Sequence, residues 1–331
     1  MLDSRSSPAG EITLDSIRRA ARRIAPFVHR TPLEYSLPLS RAAAAQLYLK
    51  LEVFQPTRVF KLRGASNRLG LLSGAQRKRG VVTASSGNHG LAVAYAAWRM
   101  DLDATVFVPK NANPAKVQAI ERYGGHVRRA GAIYDDTVPA AVSLARARRA
   151  TFVPPDDPAV ISGQGTIGLE FHEQLPEVEC VVVPVGAGGL ISGIACAVKA
   201  LAGKVRVVGV QTKGCPTMYH SWRTGRPRPT PRPKTIADGL CTREPEVLTL
   251  ALMRRYVDEM VLVADRELLR AMRNLLEEHR LLVEPSGAAA VAALAHLRFH
   301  REEKVAVLVS GGNVAPNMLR TIVGAGSRGQ A

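Results

Sequence analysis

Residues 57–67 read TRVFKLRGASN, and Lys61 is the first side chain there able to do chemistry. Val59, Phe60 and Leu62 surround its amine with apolar groups. A lysine so placed ordinarily snorkels, burying its stem and leaving the ammonium in water. If the amine is desolvated instead, the charged form is disfavoured and the neutral amine becomes a nucleophile suited to a Schiff base. Three glycine-rich turns supply groups for it to work with. SSGNHG (85–90) sets the hydroxyls of Ser85 and Ser86, the Asn88 amide and the His89 imidazole on one turn. Its donors suit a carboxylate, and the amide suits a ring oxygen. GAGGLISG (186–193) lets the backbone N–H groups of Gly186, Ala187, Gly188 and Gly189 approach an anion at the positive end of a helix. SGGN (310–313) adds the Ser310 hydroxyl. Taken singly, each turn reads equally well as an N-cap or a tight packing corner.

The elements that must position these residues follow one pattern. A short β-branched run meets a glycine turn and then an alanine-rich helical stretch. GVVTASSGNHG leads into LAVAYAAWRM, ATVFVPK into NPAKVQAIERYG with Asn113 as the expected N-cap, and ECVVVPVGAGG into LISGIACAVKAL. VRVVGVQ (205–211) and KVAVLVSGGN (304–313) contain further apolar strands. Fully apolar strands alternating with helices predict parallel sheets covered on both faces. Ligands in such sheets sit beyond the carboxyl ends of the strands, where all three turns fall. A dinucleotide fold is the rival reading of GAGGLISG. It wants GxGxxG spacing and an acidic residue ending the next strand, whereas that strand ends in Gln211. A single phosphate fits better.

Composition bounds the rest. At 331 residues and 46% hydrophobic the chain exceeds one ordinary domain, and two are expected. No apolar run is long enough to span a bilayer, and the start, MLDSRSSPAGEITLDS, has no apolar signal core. Cys180, Cys196, Cys215 and Cys241 lie far apart without metal-ligand spacing, which agrees with a reducing compartment. A cytoplasmic protein is expected, with no membrane partner. The net charge of +17 raises nucleic-acid binding as a possibility. However, RRAARR (18–23) belongs to an amphipathic helix, RKR (77–79) to a turn and RPRPTPRPK (226–234) to an exposed loop. None has aromatics interleaved for stacking on bases, so an arginine-rich solvated surface is the simpler account.

A reactive lysine, a phosphate cradle, an amide for a ring oxygen and a hydroxyl for a ring nitrogen together describe a pyridoxal phosphate site. Over nearly its whole length the chain also resembles the threonine/serine dehydratase and serine racemase group of fold-type-II pyridoxal-phosphate enzymes. The matching blocks run in order: RTPLEYSLPLS, YLKLEVFQPTRVFKLRGASN, GVVTASSGNHG, VPKNANPAKVQAIERYGGHV, SGQGTIGLEF, VPVGAGGLISG, IADGL, LLVEPSGAAAVAAL and VLVSGGN. The resemblance implies an α/β fold of two domains with the cofactor in the cleft between them. Residues 1–72 and 154–331 would form the larger domain, and 73–153 the smaller inserted one. It implies that Lys61 carries the cofactor and removes the substrate α-proton, and that Phe60 packs against the ring. Asn88 would contact the ring oxygen, Ser310 the ring nitrogen, and Gly186, Ala187, Gly188 and Gly189 the phosphate. Ser85, Ser86, Asn88 and His89 would hold the substrate carboxylate. In members that racemise, the residue matching Ser86 moves a proton on the face opposite the lysine.

The implied reaction is β-elimination from a small hydroxy amino acid, L-threonine first and L-serine second, by a homodimer. The alternatives are a racemase, a dehydratase of another β-hydroxy amino acid, and a catalytically silent binder, against which Lys61 argues. Three features depart from the family pattern. Arg58 and Val59 stand where small residues usually precede the lysine, which makes them candidates for altered substrate choice. Gln211, Cys215 and Thr217 stand where metal-binding relatives carry acidic groups, so no divalent metal site is expected. About 18 residues follow Asn313, too few for a regulatory domain, so isoleucine feedback is not expected.

Overall fold

The computed structural model describes residues 11–324 except 86, 113 and 133. Ser86 and the expected N-cap Asn113 thus lie outside the described residues. Ten strands form two sheets. They are β1 Leu33–Tyr35, β2 Gln46–Leu51, β3 Val81–Ala84, β4 Ala104–Val108, β5 His126–Arg129, β6 Thr151–Phe152, β7 Cys180–Pro184, β8 Arg206–Thr212, β9 Glu259–Val263 and β10 Lys304–Val309. The six-stranded sheet has the order β1-β2-β10-β7-β8-β9 and the four-stranded sheet β5-β4-β3-β6. Every pairing is parallel except β1 with β2. Strands β3, β4 and β7 are buried at every position, as strands with helices on both faces must be.

The smaller sheet draws all its strands from residues 81–152, and the chain returns through the helix Pro158–Gln174. Asp157 caps that helix by accepting from Ala159 N–H at 2.8 Å, and Pro158 occupies its first turn. The helix is central to the fold: a Cβ at Gly163 would run into the Arg63 backbone, and one at Gly193 of the neighbouring helix into the Ile161 carbonyl. Close helix contact thus explains the glycines of ISGQGTIG. Near its far end lies a charge-balanced buried cluster. Arg63 donates to both oxygens of Glu52 at 2.7 and 2.8 Å and to both of Glu170 at 2.6 and 3.0 Å. Lys50 adds an ion pair to Glu170 at 2.5 Å.

One local expectation needs correction. RKR (77–79) ends the helix Gly74–Arg79 and is not a turn: Ser73 and Gln76 form a capping box that starts the helix, and Gly80 at φ +70° stops it. RPRPTPRPK, in contrast, is a loop exposed along most of its length. No described helix is long and apolar enough to cross a membrane.

Candidate active site

A cavity of about 580 Å³ opens at the carboxyl ends of β3, β7 and β10, between the two sheets. Phe60, Lys61, Ser85, Asn88, His89, Gly186, Ala187, Gly188, Gly189 and Ser310 all line it. Residues from four distant parts of the sequence therefore face one volume, of the size usual for a small-ligand site.

Lys61 is the first residue of the helix Lys61–Gly70, and the turn before it is stapled to the SGGN turn. Phe60 N–H donates to the Ser310 carbonyl at 3.1 Å, and Gly312 N–H donates to the Arg58 carbonyl at 2.8 Å. The Asn313 amide donates to the Thr57 carbonyl at 3.0 Å and to Asn88 Oδ1 at 2.9 Å. The amine of Lys61 lies 5.0 Å from the centre of the Phe60 ring. Although the side chain opens on the cavity, protein encloses the amine. Desolvation depresses its pKa to about 8, with Asp156 and Glu284 opposing the fall.

Arg58 and Val59 do not line the cavity. Arg58 takes φ +61° in an exposed turn, while Val59 is buried in a bridge to Gly311. The expectation that they shape substrate choice directly fails for that reason.

Beyond β3, the helix Asn88–Arg99 begins at Gly87 with no side-chain cap, so its first N–H groups face the cavity end unclaimed by a capping oxygen. Ser85 Oγ accepts from Gly87 N–H at 3.2 Å. The Asn88 amide is clamped between Asn313 and Glu284, donating to Glu284 Oε1 at 2.7 Å. His89 Nε2 faces the Val153 carbonyl at 3.0 Å, while Nδ1 is buried without a partner. Burial, reinforced by Lys61, lowers this imidazole to about 4. It is therefore neutral at physiological pH, donates from Nε2, and presents only a lone pair at Nδ1. Its side chain cannot donate from Nδ1 to a carboxylate.

After β7, Gly188 at φ +90° is the uncapped N-cap of the helix Gly189–Leu201. A Cβ there would strike Met253 Sδ at 2.8 Å and Thr249 at 3.0 Å. Ala187 keeps its carbonyl turned to the Thr249 hydroxyl at 2.5 Å, and buried Gln211 bridges Tyr219 N–H and the Gly186 carbonyl. After β10, the Ser310 carbonyl is occupied by Phe60, and its hydroxyl makes no hydrogen bond within the described residues. Its backbone is held, and its hydroxyl remains available to a ligand.

Sequence reasoning missed seven charged residues on the cavity wall: Glu284, Asp156, Lys116, Asp238, Arg243, Glu244 and Glu246. Glu284 is buried, and desolvation together with Asp238 raises its carboxyl to about 7 against the pull of Lys116, Asn88 and Lys61. Lys116 pairs with Asp238 at 2.5 Å, joining the helix Pro114–Glu121 to the turn Asp238–Leu240 across the cleft. The signal for Glu284 was the acidic residue in the otherwise small and apolar block LLVEPSGAAA.

A depressed amine, an uncapped glycine helix start and an unpartnered hydroxyl on one cavity fit an aldehyde-bearing phosphate cofactor. Comparison with known proteins identifies the same class. The family model described as "Pyridoxal-phosphate dependent enzyme" matches residues 24–311, and the chain belongs to that family. Pyridoxal phosphate is its cofactor. Among its relatives, an L-threonine ammonia-lyase of Thermotoga maritima is 44% identical over 95% of this chain and 79% of that protein. A serine racemase of Oryza sativa is 38% identical over 91% of each. The structure of maize serine racemase superposes with a TM-score of 0.90 at 37% identity, covering 95% of this chain and 98% of that one. The expected fold type and the resemblance to this group are thereby borne out.

Proposed function

We propose that the chain is an ammonia-lyase that eliminates water from a small β-hydroxy amino acid. L-Threonine would give 2-oxobutanoate and ammonia, and L-serine would give pyruvate. The observation that carries this reading is the Lys61 amine, poised near pH 8 at the meeting point of three glycine turns. Pyridoxal phosphate, when bound, makes the α-C–H bond of an attached amino acid acidic by accepting its electrons. The chain's residues supply the remainder. Lys61 would hold the cofactor's aldehyde and, once displaced by the substrate amine, take the α-proton. At pH 7 roughly a tenth of such amines are neutral, against a few in ten thousand for an ordinary lysine. Backbone N–H groups of 186–189 would hold the phosphate, Phe60 would pack on the ring, and Asn88, already fixed by Glu284 and Asn313, would turn its second amide hydrogen to the ring oxygen. The neutral hydroxyl of Ser310 would face the ring nitrogen. Unlike a carboxylate it does not enforce protonation there, which favours early departure of the β-hydroxyl.

The substrate carboxylate would bind the helix start at Asn88 and His89, beside the hydroxyls of Ser85 and Ser86. His89 would contribute its backbone N–H, since its ring is neutral and bonded to Val153. Racemisation is the second reading, favoured by the 38% identity to a serine racemase. It would use Ser86 opposite Lys61. We further infer one domain from 1–72 with 154–331 and an inserted one from 73–153, a homodimeric assembly and a cytoplasmic setting. Free thiols at Cys180, Cys196, Cys215 and Cys241 support the last of these.

The test incubates the holoenzyme with a panel of hydroxy amino acids and scores 2-oxo acid against inverted enantiomer. Oxo-acid formation from L-threonine should lead, and Lys61→Ala should abolish it. Inversion outpacing oxo acid on every substrate would overturn the lyase reading.

A further inference from the structure

Cys215 and Cys241 stand far apart in the chain, with no motif to link them. The fold brings them together. Cys215 follows β8 and directly precedes Pro216, the N-cap of the helix Thr217–Thr224. Cys241 closes the turn Asp238–Leu240 and lines the cavity. Each thiol is the strongest electrostatic neighbour of the other. Cys215 Sγ also lies 3.2 Å from the carbonyl oxygen of Thr242, the residue after Cys241, and 3.7 Å from Thr217 Oγ1. We propose that Cys215 and Cys241 form a reversible redox site, closed to an intramolecular disulfide by a peroxide, which alters the cavity wall beside the Gly186–Gly189 loop.

The chemistry of the pair favours that outcome. The Cys241 thiol lowers the Cys215 thiol to about 6, outweighing its burial, with Thr217 and Thr242 acting in the same sense. Cys241 is pushed up correspondingly. The pair therefore gives up its first proton more readily than an ordinary thiol and shares the one that remains. By contrast, burial pushes Cys180 up to about 12 and also raises Cys196, which leaves both inert. Hydrogen peroxide, little larger than water, enters through the cavity on which Cys241 opens. Cys241 sulfur, its proton passing to the fully buried Cys215, attacks the O–O bond there, an S–O bond forms, and the departing hydroxide takes up a proton to become water. Cys215 sulfur then attacks the sulfenic sulfur. The S–S bond forms as the S–O bond breaks, and hydroxide leaves with the Cys215 proton as a second water. Two thiols and one peroxide become one disulfide and two waters, and a dithiol reductant reverses the change.

A disulfide requires an S–S bond of about 2.05 Å with Cβ atoms about 3.8 Å apart, closer than a thiol hydrogen bond. Closing it draws the segment 238–244 toward the end of β8. That segment bears on the loop assigned to the phosphate: the Gly239 carbonyl lies 2.7 Å from where a Gly186 Cβ would stand, and Gly239 N–H is tied to Ser286 at 3.0 Å. Leu240 to Glu244 line the cavity itself.

The experiment titrates the holoenzyme with hydrogen peroxide, blocks residual thiols, digests without reduction and maps the peptides by mass. A peptide joining Cys215 to Cys241, two hydrogens lighter than the reduced pair, is expected. Turnover and cofactor absorbance should change in step with it, and dithiothreitol should restore both. Cys215→Ala should keep basal turnover, form no link and escape the reversible loss; Cys215→Ser repeats the test with a side chain that keeps a polar contact to Thr217. Separate over-oxidation of the two sulfurs without a link would overturn the proposal. So would an equal reversible loss in the Cys215 variants, or a link that leaves turnover and absorbance unchanged. The peptide link is read without substrate, so it stands or falls independently of the lyase reading.

Discussion

Replacing Arg63 by methionine probes the device that holds Lys61 in place, since Arg63 lies in the first turn of the same helix. Arg63 is 1% exposed and Glu52 is fully buried, so the substitution strands an acidic group with no route to water. Glu52 would keep hydrogen bonds only from the Thr31 hydroxyl at 2.6 Å and the Gln55 amide at 3.2 Å, with Lys50, which pairs directly with Glu170, as its one remaining positive neighbour among the described residues. Removing one partner of a buried pair costs about 3–5 kcal/mol, mostly as the penalty on the orphaned charge. At about 2 °C per kcal/mol for a chain of this size, the melting temperature of the holoenzyme should fall by roughly 6–10 °C. Adding Glu52→Gln should recover more than about 1 kcal/mol, because a neutral amide tolerates the vacated site better than a charge. The sign with pH is also determined. Burial alone would raise the Glu52 pKa, but Arg63, Lys50 and Thr31 hold it below its usual value, so its stabilisation is present at neutral pH and lost as pH falls through that depressed value. Without Arg63 the folded-state pKa rises above the unfolded one, the folded variant takes up a proton, and its deficit against the parent shrinks from pH 7.5 to pH 5.5. A melting temperature within about 2 °C of the parent, or a deficit that grows on acidification, would refute this account of the cluster.

Two further predictions concern the cavity. The rate at which cofactor-free enzyme captures pyridoxal phosphate should rise with pH, pass half its maximum at about 8 and level above that as the Lys61 amine becomes fully neutral; stopped-flow absorbance reads it, and a rate still climbing at pH 10 would show an ordinary lysine. Gly188→Ala places a side chain at φ +90° against Met253 and Thr249, so at a cost of about 1–3 kcal/mol it should weaken cofactor binding roughly tenfold or more, measured by equilibrium titration.

How much of this was legible in the sequence depends on the range of the forces involved. The strands and glycine turns were readable because β-branched runs and missing side chains act within a few residues. Three turns falling at strand ends were enough to predict a shared cleft. Glu284 was marked in the sequence only as an acidic residue in an apolar block, because its meaning comes from Asn88, 196 positions away, and from burial that only the closed fold imposes. The role of Arg63 was hidden in the same way, since its guanidinium is neutralised by Glu52 and Glu170, which only the closed fold brings to it. Arg58 and Val59 were visible as departures from the family pattern, but proximity in sequence overstated their part. A single positive-φ residue turns the chain there, sending Arg58 to solvent and Val59 into the core. Whatever distinguishes this enzyme from its relatives is therefore better sought on the wall formed by Asp156, Lys116, Asp238 and the segment from Cys241 to Glu246. That wall crosses the cleft, and its groups are set by tertiary pairing rather than by neighbours along the chain.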